Sequence, residues 1–410
     1  MDNIPVLTEE DSKTQWLTQI LRQSLRISNT NEVISFNSEM LKGGCHFNVL
    51  KLSLIYSEPN SKLPTSVVLK TLKWNKTIVQ KIILCIKKTL NVADREAIYL
   101  NSYEVETRFY KIYSTDIQGL RLPQILFSYE NPFHHHFVMV MEDISHCENG
   151  QPLGFSMKDS MICLKYLAEF HATHWDHPTP KTNAKFWDIG GYWTGKKREA
   201  NKKEIRKAWD HVFQYFHEDL QISESSKSLG VRLEHRLDDI ALIMSLLEPR
   251  TLIHGDFKIT NIFINHNNHD FYAESTTTEH VYAIDWQWFG IGNVALDVAH
   301  FIATSIHENS IQNSLELLHY YYRTLLENGI SAEQHSWEKF WKNFQLCWID
   351  FFIFTVVAKW GTMKPNDIEL YQKEEKDGLH LRSYPHMRKL LIQTEEFIND
   401  LETSLSFKQE

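Results

Sequence analysis

Three polar residues interrupt apolar runs between positions 251 and 288, and their types and spacing suit one kind of chemistry. His254-Gly255-Asp256 is followed by four residues and then Asn261, and a second carboxylate, Asp285, ends the apolar run Val281-Tyr282-Ala283-Ile284. In phosphoryl transfer one carboxylate orients or deprotonates the acceptor hydroxyl. An amide oxygen and a second carboxylate hold a divalent cation on the phosphates. The spacing H-x-D-x-x-x-x-N with a later Asp fits that division of labour. Asp256 is the candidate catalytic base, and Asn261 and Asp285 are the candidate Mg²⁺ ligands.

Such a site also needs a grip on the nucleotide. Val67-Val68-Leu69-Lys70 reads as a strand ending in a lysine that projects onto the α- and β-phosphates; the alternative is a lysine snorkelling from a strand end. Glu106 is its candidate partner. It lies within a stripe of Tyr99, Tyr103, Tyr110 and Tyr113 on a helix over 94–114, and a carboxylate on a buried face needs a counter-charge. Gly43-Gly44 would let backbone N–H groups approach a phosphate, although a lone Gly-Gly equally makes a hairpin turn. The strand Phe137–Met141 runs into Glu142-Asp143. Backbone groups near Glu142 and Ile144 are expected to meet the adenine edge there.

The elements that position these residues follow from periodicity and turn signals. An amphipathic helix is expected over 9–29, with Trp16, Ile20 and Leu21 on one face and Leu25 extending it. Strands are expected over Val33–Met40, Asn48–Tyr56, Ser66–Leu72, Leu122–Tyr129 and Phe137–Met141. The turn ENPFHHH between the last two holds three consecutive histidines. Neighbouring residues on a strand face opposite ways, so a solvated turn is preferred to a metal site. Ser156 is placed to cap a helix carrying Leu164, Leu167, Ala168 and His171 inward, with His171 a core histidine. Residues 183–204 read as a loop, and helices follow over about 203–222 and 228–248. The polar segment 266–280 reads as an exposed insertion. Asp297 reads as a cap or loop anchor. The rest is helical. Trp341–Trp360 is aromatic nearly all round, which suits core packing, with an acceptor pocket lined by Trp348, Asp350, Phe351 and Trp360 as the alternative.

The bulk composition limits the function classes. A chain of 410 residues with 42% hydrophobic and 23% charged residues has room for more than one core. A net charge of −9 argues against a nucleic-acid groove. The five cysteines are scattered, without a C-x-x-C pair, which suits a reducing compartment. The N-terminus is polar and acidic, unlike a secretory signal. The run Leu346–Trp360, interrupted by Asp350 and Lys359, reads as too short and charged to span a bilayer. A cytoplasmic protein without a membrane segment is expected. Protein partners are not legible.

The order Gly43-Gly44, Lys70, Glu106, 141–144, Asp256, Asn261, Asp285 is that of the protein-kinase-like fold. In detail the sequence resembles the aminoglycoside phosphotransferase–choline kinase group and, within it, the ecdysteroid kinase-like (CHK kinase-like) family. The residues carrying this are His254-Gly255-Asp256-Phe257…Asn261, Ile284-Asp285-Trp286-Gln287, Leu296-Asp297-Val298-Ala299, Met141-Glu142-Asp143-Ile144, Glu106-Thr107-Arg108-Phe109-Tyr110 and Leu167–Ala172. The resemblance spans about 40–305. It implies an α+β bilobal fold, with a β-rich N-terminal lobe over 1–141 and a larger, mainly helical C-terminal lobe over 142–410. It implies ATP- and Mg²⁺-dependent phosphorylation of a small-molecule hydroxyl, with Asp256 as base, Asn261 and Asp285 on the metal, and Lys70 with Glu106 as phosphate clamp. Gly255 stands where protein kinases carry Arg, and no Gly follows Asp285, so activation-loop control is not expected. The competing readings are an inactive scaffold of the same fold and a metal-dependent phosphohydrolase. The scaffold typically lacks one of these residues, and the hydrolase needs more clustered His and Asp.

Overall fold

The apolar segments before residue 147, separated by turn residues, pair as strands of one sheet. In the computed structural model the described residues are 10–41, 47–60, 62–72, 92–131, 136–176, 186–187, 189–191, 204–266, 279–375 and 377–406. Gly43 and Gly44 lie outside them, as do the tip of the ENPFHHH turn and most of 183–204 and 266–280, so the readings made there concern residues outside the described set. The chain divides into two compact units. The first comprises Met1–Ile82, Leu122–Cys147 and His266–Glu279, and the second Ile83–Arg121, Glu148–Asn265 and His280–Glu410.

In the first unit, β1 (Val33–Met40), β2 (Phe47–Tyr56), β3 (Ser66–Leu72), β4 (Ile125–Asn131) and β5 (His136–Glu142) form an antiparallel sheet in the order β1-β2-β3-β5-β4. Helix α1 (Glu10–Gln23) lays Leu17, Ile20 and Leu21 on a core shared with Leu52, Leu54, Val67 and Val140. The helix is shorter than its periodicity suggests. Leu25 takes φ 58°, its N–H donates to Arg22 O and the Arg26 N–H to Leu21 O, so a left-handed residue closes the helix. Leu25 consequently faces solvent rather than extending the apolar stripe.

The second unit is mainly helical and holds two short two-stranded antiparallel sheets. β6 (Thr251–Ile253) pairs with β9 (Gly290–Gly292), and β7 (Ile262–Asn265) with β8 (His280–Ala283). Helix α2 (Val92–Tyr113) belongs here by packing: Phe109 stacks on Trp286 with centroids 4.0 Å apart, and both Phe109 and Tyr113 meet Phe289. Ser156 caps α3 (Met157–Thr173) by accepting from the Asp159 N–H. The expected helical pair is α4 (Glu204–Phe216) and α5 (Leu229–Ser245). Then come α6 (Ala295–Thr304), α7 (Ser314–Glu327), α8 (Trp337–Ala358), α9 (Pro365–Lys373) and α10 (Tyr384–Ser406).

The apolar run around α8 is longer than the Leu346–Trp360 stretch suggests. Trp337–Thr362 is long and apolar enough to cross a membrane by length and composition, which corrects that reading. Here α8 packs against α4, α6 and α10, and buries Phe340, Phe344, Trp348 and Phe352. The Trp348 and Trp360 indoles donate to the carbonyls of Leu390 and His380, so both are core residues rather than pocket walls.

Candidate active site

The loop after β6 is held from below by one carboxylate. Asp297, buried in the first turn of α6, accepts the His254 N–H on Oδ2 at 2.7 Å and the Gly255 N–H on Oδ1 at 2.8 Å. His171 of α3 lies 3.3 Å from the same Oδ2 through Nε2, and its Nδ1 is 2.6 Å from the Tyr321 hydroxyl. Burial, and then the charge of Asp297, push the Tyr321 phenol well above its ordinary range. The hydroxyl therefore donates to Nδ1, and the ring's own N–H serves Asp297. Asp297 is the loop anchor the sequence suggested, and His171 is a core histidine.

His254 ties the loop to the end of β8. Its Nε2 donates to the Ile284 carbonyl at 3.0 Å, and its Nδ1 accepts the Asp256 N–H at 3.2 Å. Burial holds its pKa below the ordinary value, against the opposing pull of Asp297, so the ring is a neutral strut. Gly255 has φ +79°, and a Cβ there would drive into the Trp288 carbonyl and lie 2.6 Å from the Gly191 nitrogen. These two neighbours hydrogen-bond each other. An arginine cannot occupy this position.

Asp256, Asn261 and Asp285 come together. Asn261 Nδ2 donates to both the backbone carbonyl and Oδ2 of Asp256, each at 3.0 Å. Turning the amide over would set its oxygen against two acceptors, so the network fixes which way it points. Its Oδ1 accepts from the Thr260 hydroxyl at 3.3 Å, and its second lone pair can serve a cation. The Ile284 N–H donates to the Asn261 carbonyl, continuing the β7–β8 ladder by one step, and this brings Asp285 alongside. Asp285 itself is left-handed (φ 67°, ψ 56°), a conformation Asp tolerates better than most residues. Hard oxygen donors from one amide and one carboxylate suit Mg²⁺, which takes its remaining ligands from phosphate and water. Among the described residues no group of three or more His, Cys, Asp or Glu is arranged to hold a metal, so the hydrolase reading finds no such cluster there.

No local spacing announces what surrounds the other side of Asp256. This carboxylate is 1% exposed, and its Oδ1 lies 3.3 Å from Lys258 Nζ and 3.6 Å from His300 Nε2. Lys258 also reaches Asp377 Oδ1 at 2.9 Å, and Lys359 reaches Asp377 Oδ2 at 3.4 Å. Burial, and then the charge of Lys258, push the His300 pKa well below 6.5, so it is neutral at pH 7. The Phe351 ring lies 4.7 Å from His300 and 5.2 Å from His380. Lys258 was detectable as the second residue after Asp256. Asp377, 119 residues away, was not.

The residues expected from the sequence to clamp a nucleotide are distributed over both units. Lys70 on β3 of the first unit is 7% exposed, in register with Val49 and Met139. It is out of phase with Val67 and Leu69, which pack toward α1, so it projects from the other face of the sheet. Glu142 closes β5; its N–H donates to Gln124 O, and its carboxylate accepts the Gln124 N–H. Ile144 is buried, and its carbonyl accepts the Cys147 N–H. In the second unit Glu106 is fully buried on α2, which excludes an escape past the tyrosine edges to solvent. Burial, then the charges of Glu106 and Asp285, raise the Tyr110 phenol well above its ordinary pKa, so both carboxylates act on one hydroxyl.

These features define a class: a five-stranded antiparallel sheet bearing a buried lysine, and a helical unit bearing an Asp–Asn–Asp set. A family model described as the ecdysteroid kinase-like family matches residues 49–332, more than half of the chain. The chain belongs to the ecdysteroid kinase-like family. A search of curated proteins gave no match. Among solved structures the chain is similar to the microcompartment-associated aminopropanol kinase, at 12% identity and a TM-score of 0.49, covering 93% of this chain and 98% of that one. It is also similar to choline kinase from Cryptosporidium parvum Iowa II, at 13% identity and a TM-score of 0.47, covering 94% and 96%. A GDP-bound aminoglycoside phosphotransferase follows, at 13% and 0.46, covering 88% and 96%. At these identities and scores, the likeness carries no residue-level information about the site.

Proposed function

We propose that the protein is an ATP- and Mg²⁺-dependent phosphotransferase that phosphorylates a hydroxyl group of a small molecule. The observation that carries this reading is the hold of Asn261 on Asp256. One amide orients a buried carboxylate, has a second lone pair on its oxygen to offer a cation beside the Thr260 hydroxyl, and sits one ladder step from Asp285. In this reading the acceptor hydroxyl donates to Asp256, and its oxygen attacks the γ-phosphorus. The bond to the bridging oxygen breaks with its electron pair leaving on ADP, and the hydroxyl proton passes to Asp256. A bound Mg²⁺ would neutralise phosphate charge, with Asn261 and Asp285 as its protein ligands. Lys70 is assigned to the α- and β-phosphates with Glu106 as its counter-ion, and the backbone near Glu142 and Ile144 to the adenine edge.

The test is an ATP-consumption screen over a library of metabolite alcohols, followed by Asp256→Asn on whichever acceptor is found. The variant should bind MgATP like the wild type and transfer phosphate about 10²- to 10⁴-fold more slowly. Normal turnover by Asp256→Asn removes the assignment of the base. Absence of any thermal shift with millimolar MgATP favours the inactive scaffold instead. A Lys70→Ala variant that binds MgATP as tightly as the wild type removes the clamp assignment.

A further inference from the structure

We propose that Asp377, in the segment between α9 and α10, is a positioning residue for phosphoryl transfer: it holds Lys258 beside the carboxylate of Asp256, so that residues beyond the family-matched span complete the catalytic site. The proposal rests on the phosphotransferase reading above. Its basis is a chain of alternating charge. Asp256 Oδ1 lies 3.3 Å from Lys258 Nζ, Lys258 Nζ is 2.9 Å from Asp377 Oδ1, and Asp377 Oδ2 is 3.4 Å from Lys359 Nζ. Two carboxylates and two ammonium groups balance, which matters because a buried carboxylate is costly without a counter-charge. Lys258 stands closer to Asp377 than to Asp256, so the remote residue decides where the ammonium sits. A lysine has a long flexible stem and no preferred fork geometry. Without Asp377 it has less reason to remain at the base.

Asp377 is itself held in place. Its φ is 61°, its Oδ1 also accepts the Gly378 N–H at 3.0 Å, and Gly378 and Leu379 are buried behind it. Burial would raise its pKa, but Lys258, then Lys359 and His380, draw it well below the ordinary range, so it is charged at neutral pH. The family match ends at residue 332. Lys359, Asp377 and His380 all follow it, and each bears on the groups around Asp256.

The experiment uses the full chain, MgATP as the probe, and phosphate release to water as the reaction, so no acceptor has to be known. Asp377→Asn keeps the shape and suits the left-handed backbone, removing only the charge. It should lower kcat about tenfold to a hundredfold with the KM for MgATP within about twofold, since misplacement of a site group by an ångström costs about that much. Asp377→Glu should recover part of the rate. Lys258→Met should fall at least as far, and the double variant Lys258→Met/Asp377→Asn should fall no further than Lys258→Met alone. Urea unfolding of each variant separates loss of rate from loss of fold. A kcat for Asp377→Asn equal to the wild type, or losses that multiply in the double variant, overturns the proposal while leaving the phosphotransferase reading intact. A wild type that neither binds nor hydrolyses MgATP overturns that reading, and the positioning role with it.

Discussion

Gly255→Ala is the substitution that the geometry of the loop constrains most tightly. Gly255 has φ +79°, and its Cα faces the hydrogen bond between the Gly191 N–H and the Trp288 carbonyl. An L-residue in the left-handed region costs about 1–2 kcal/mol. The added methyl cannot be relieved by a side-chain rotation, because the atoms it meets are backbone. Breaking that buried backbone hydrogen bond adds about 1–3 kcal/mol. The expected total is about 3 kcal/mol, read as a lower midpoint in equilibrium urea unfolding. Gly329→Ala is the matched control. It has φ +96° and open space within 4 Å, so it isolates the conformational term, expected at about 1 kcal/mol. If the two alanine variants lose the same stability, the clash is absent and the account of why this loop requires glycine is wrong.

Three further outcomes follow from the same contacts. Asp297→Asn leaves one acceptor oxygen for two buried N–H groups and removes the charge opposite His171, so it should cost about 2–4 kcal/mol in urea unfolding; a loss under about 0.5 kcal/mol would remove the anchor role. His386 is kept neutral by burial, with a pKa lowered from 6.5 to about 4 and its Nε2 donating to the Ile306 carbonyl. Between those pH values the unfolded chain binds the extra proton and the folded chain does not, so stability is complete above pH 6.5 and falls as the pH drops toward 4. By pH 5 the loss from this one group is about 2 kcal/mol relative to pH 7, and His386→Gln should flatten the dependence by that amount; equal pH slopes for the two proteins would refute it. Ser156→Ala removes the cap on the Asp159 N–H and should destabilise by about 1 kcal/mol, measured by the same unfolding assay.

Much of the fold was legible because its signals are local. Apolar runs between turn residues marked the strands of the sheet, and Ser156 announced its helix. An α8 rich in aromatics nearly all round its axis points to the interior or a membrane, and its packing on α4, α6 and α10 shows the interior use. The misreadings have local causes as well. Leu25 continued an apolar stripe in sequence, but the chain had already turned left-handed there. For Trp348 and Trp360 core packing was the preferred reading, with a pocket wall left as the alternative, because aromatic content does not say which side of a helix is covered. Their indole hydrogen bonds to Leu390 and His380 settle that they are core.

By itself the sequence brought forward the candidate set. Asp256, Asn261 and Asp285 can be read at their spacing, because the short loop from β6 to β7 places the first two by count and the strand β8 ends at the third, and because few chemistries need two carboxylates and an amide in that order. It also marked Lys70 and Glu106, since a charge inside an apolar stretch calls for a reason. Only the tertiary structure decided what holds Asp256 in place. Asp297 reaches back 42 and 43 residues to fix the loop backbone, and Asp377 reaches 119 residues to hold Lys258. Electrostatic interaction depends on distance in space, and no periodicity or spacing encodes which remote segment the fold will lay beside a buried carboxylate.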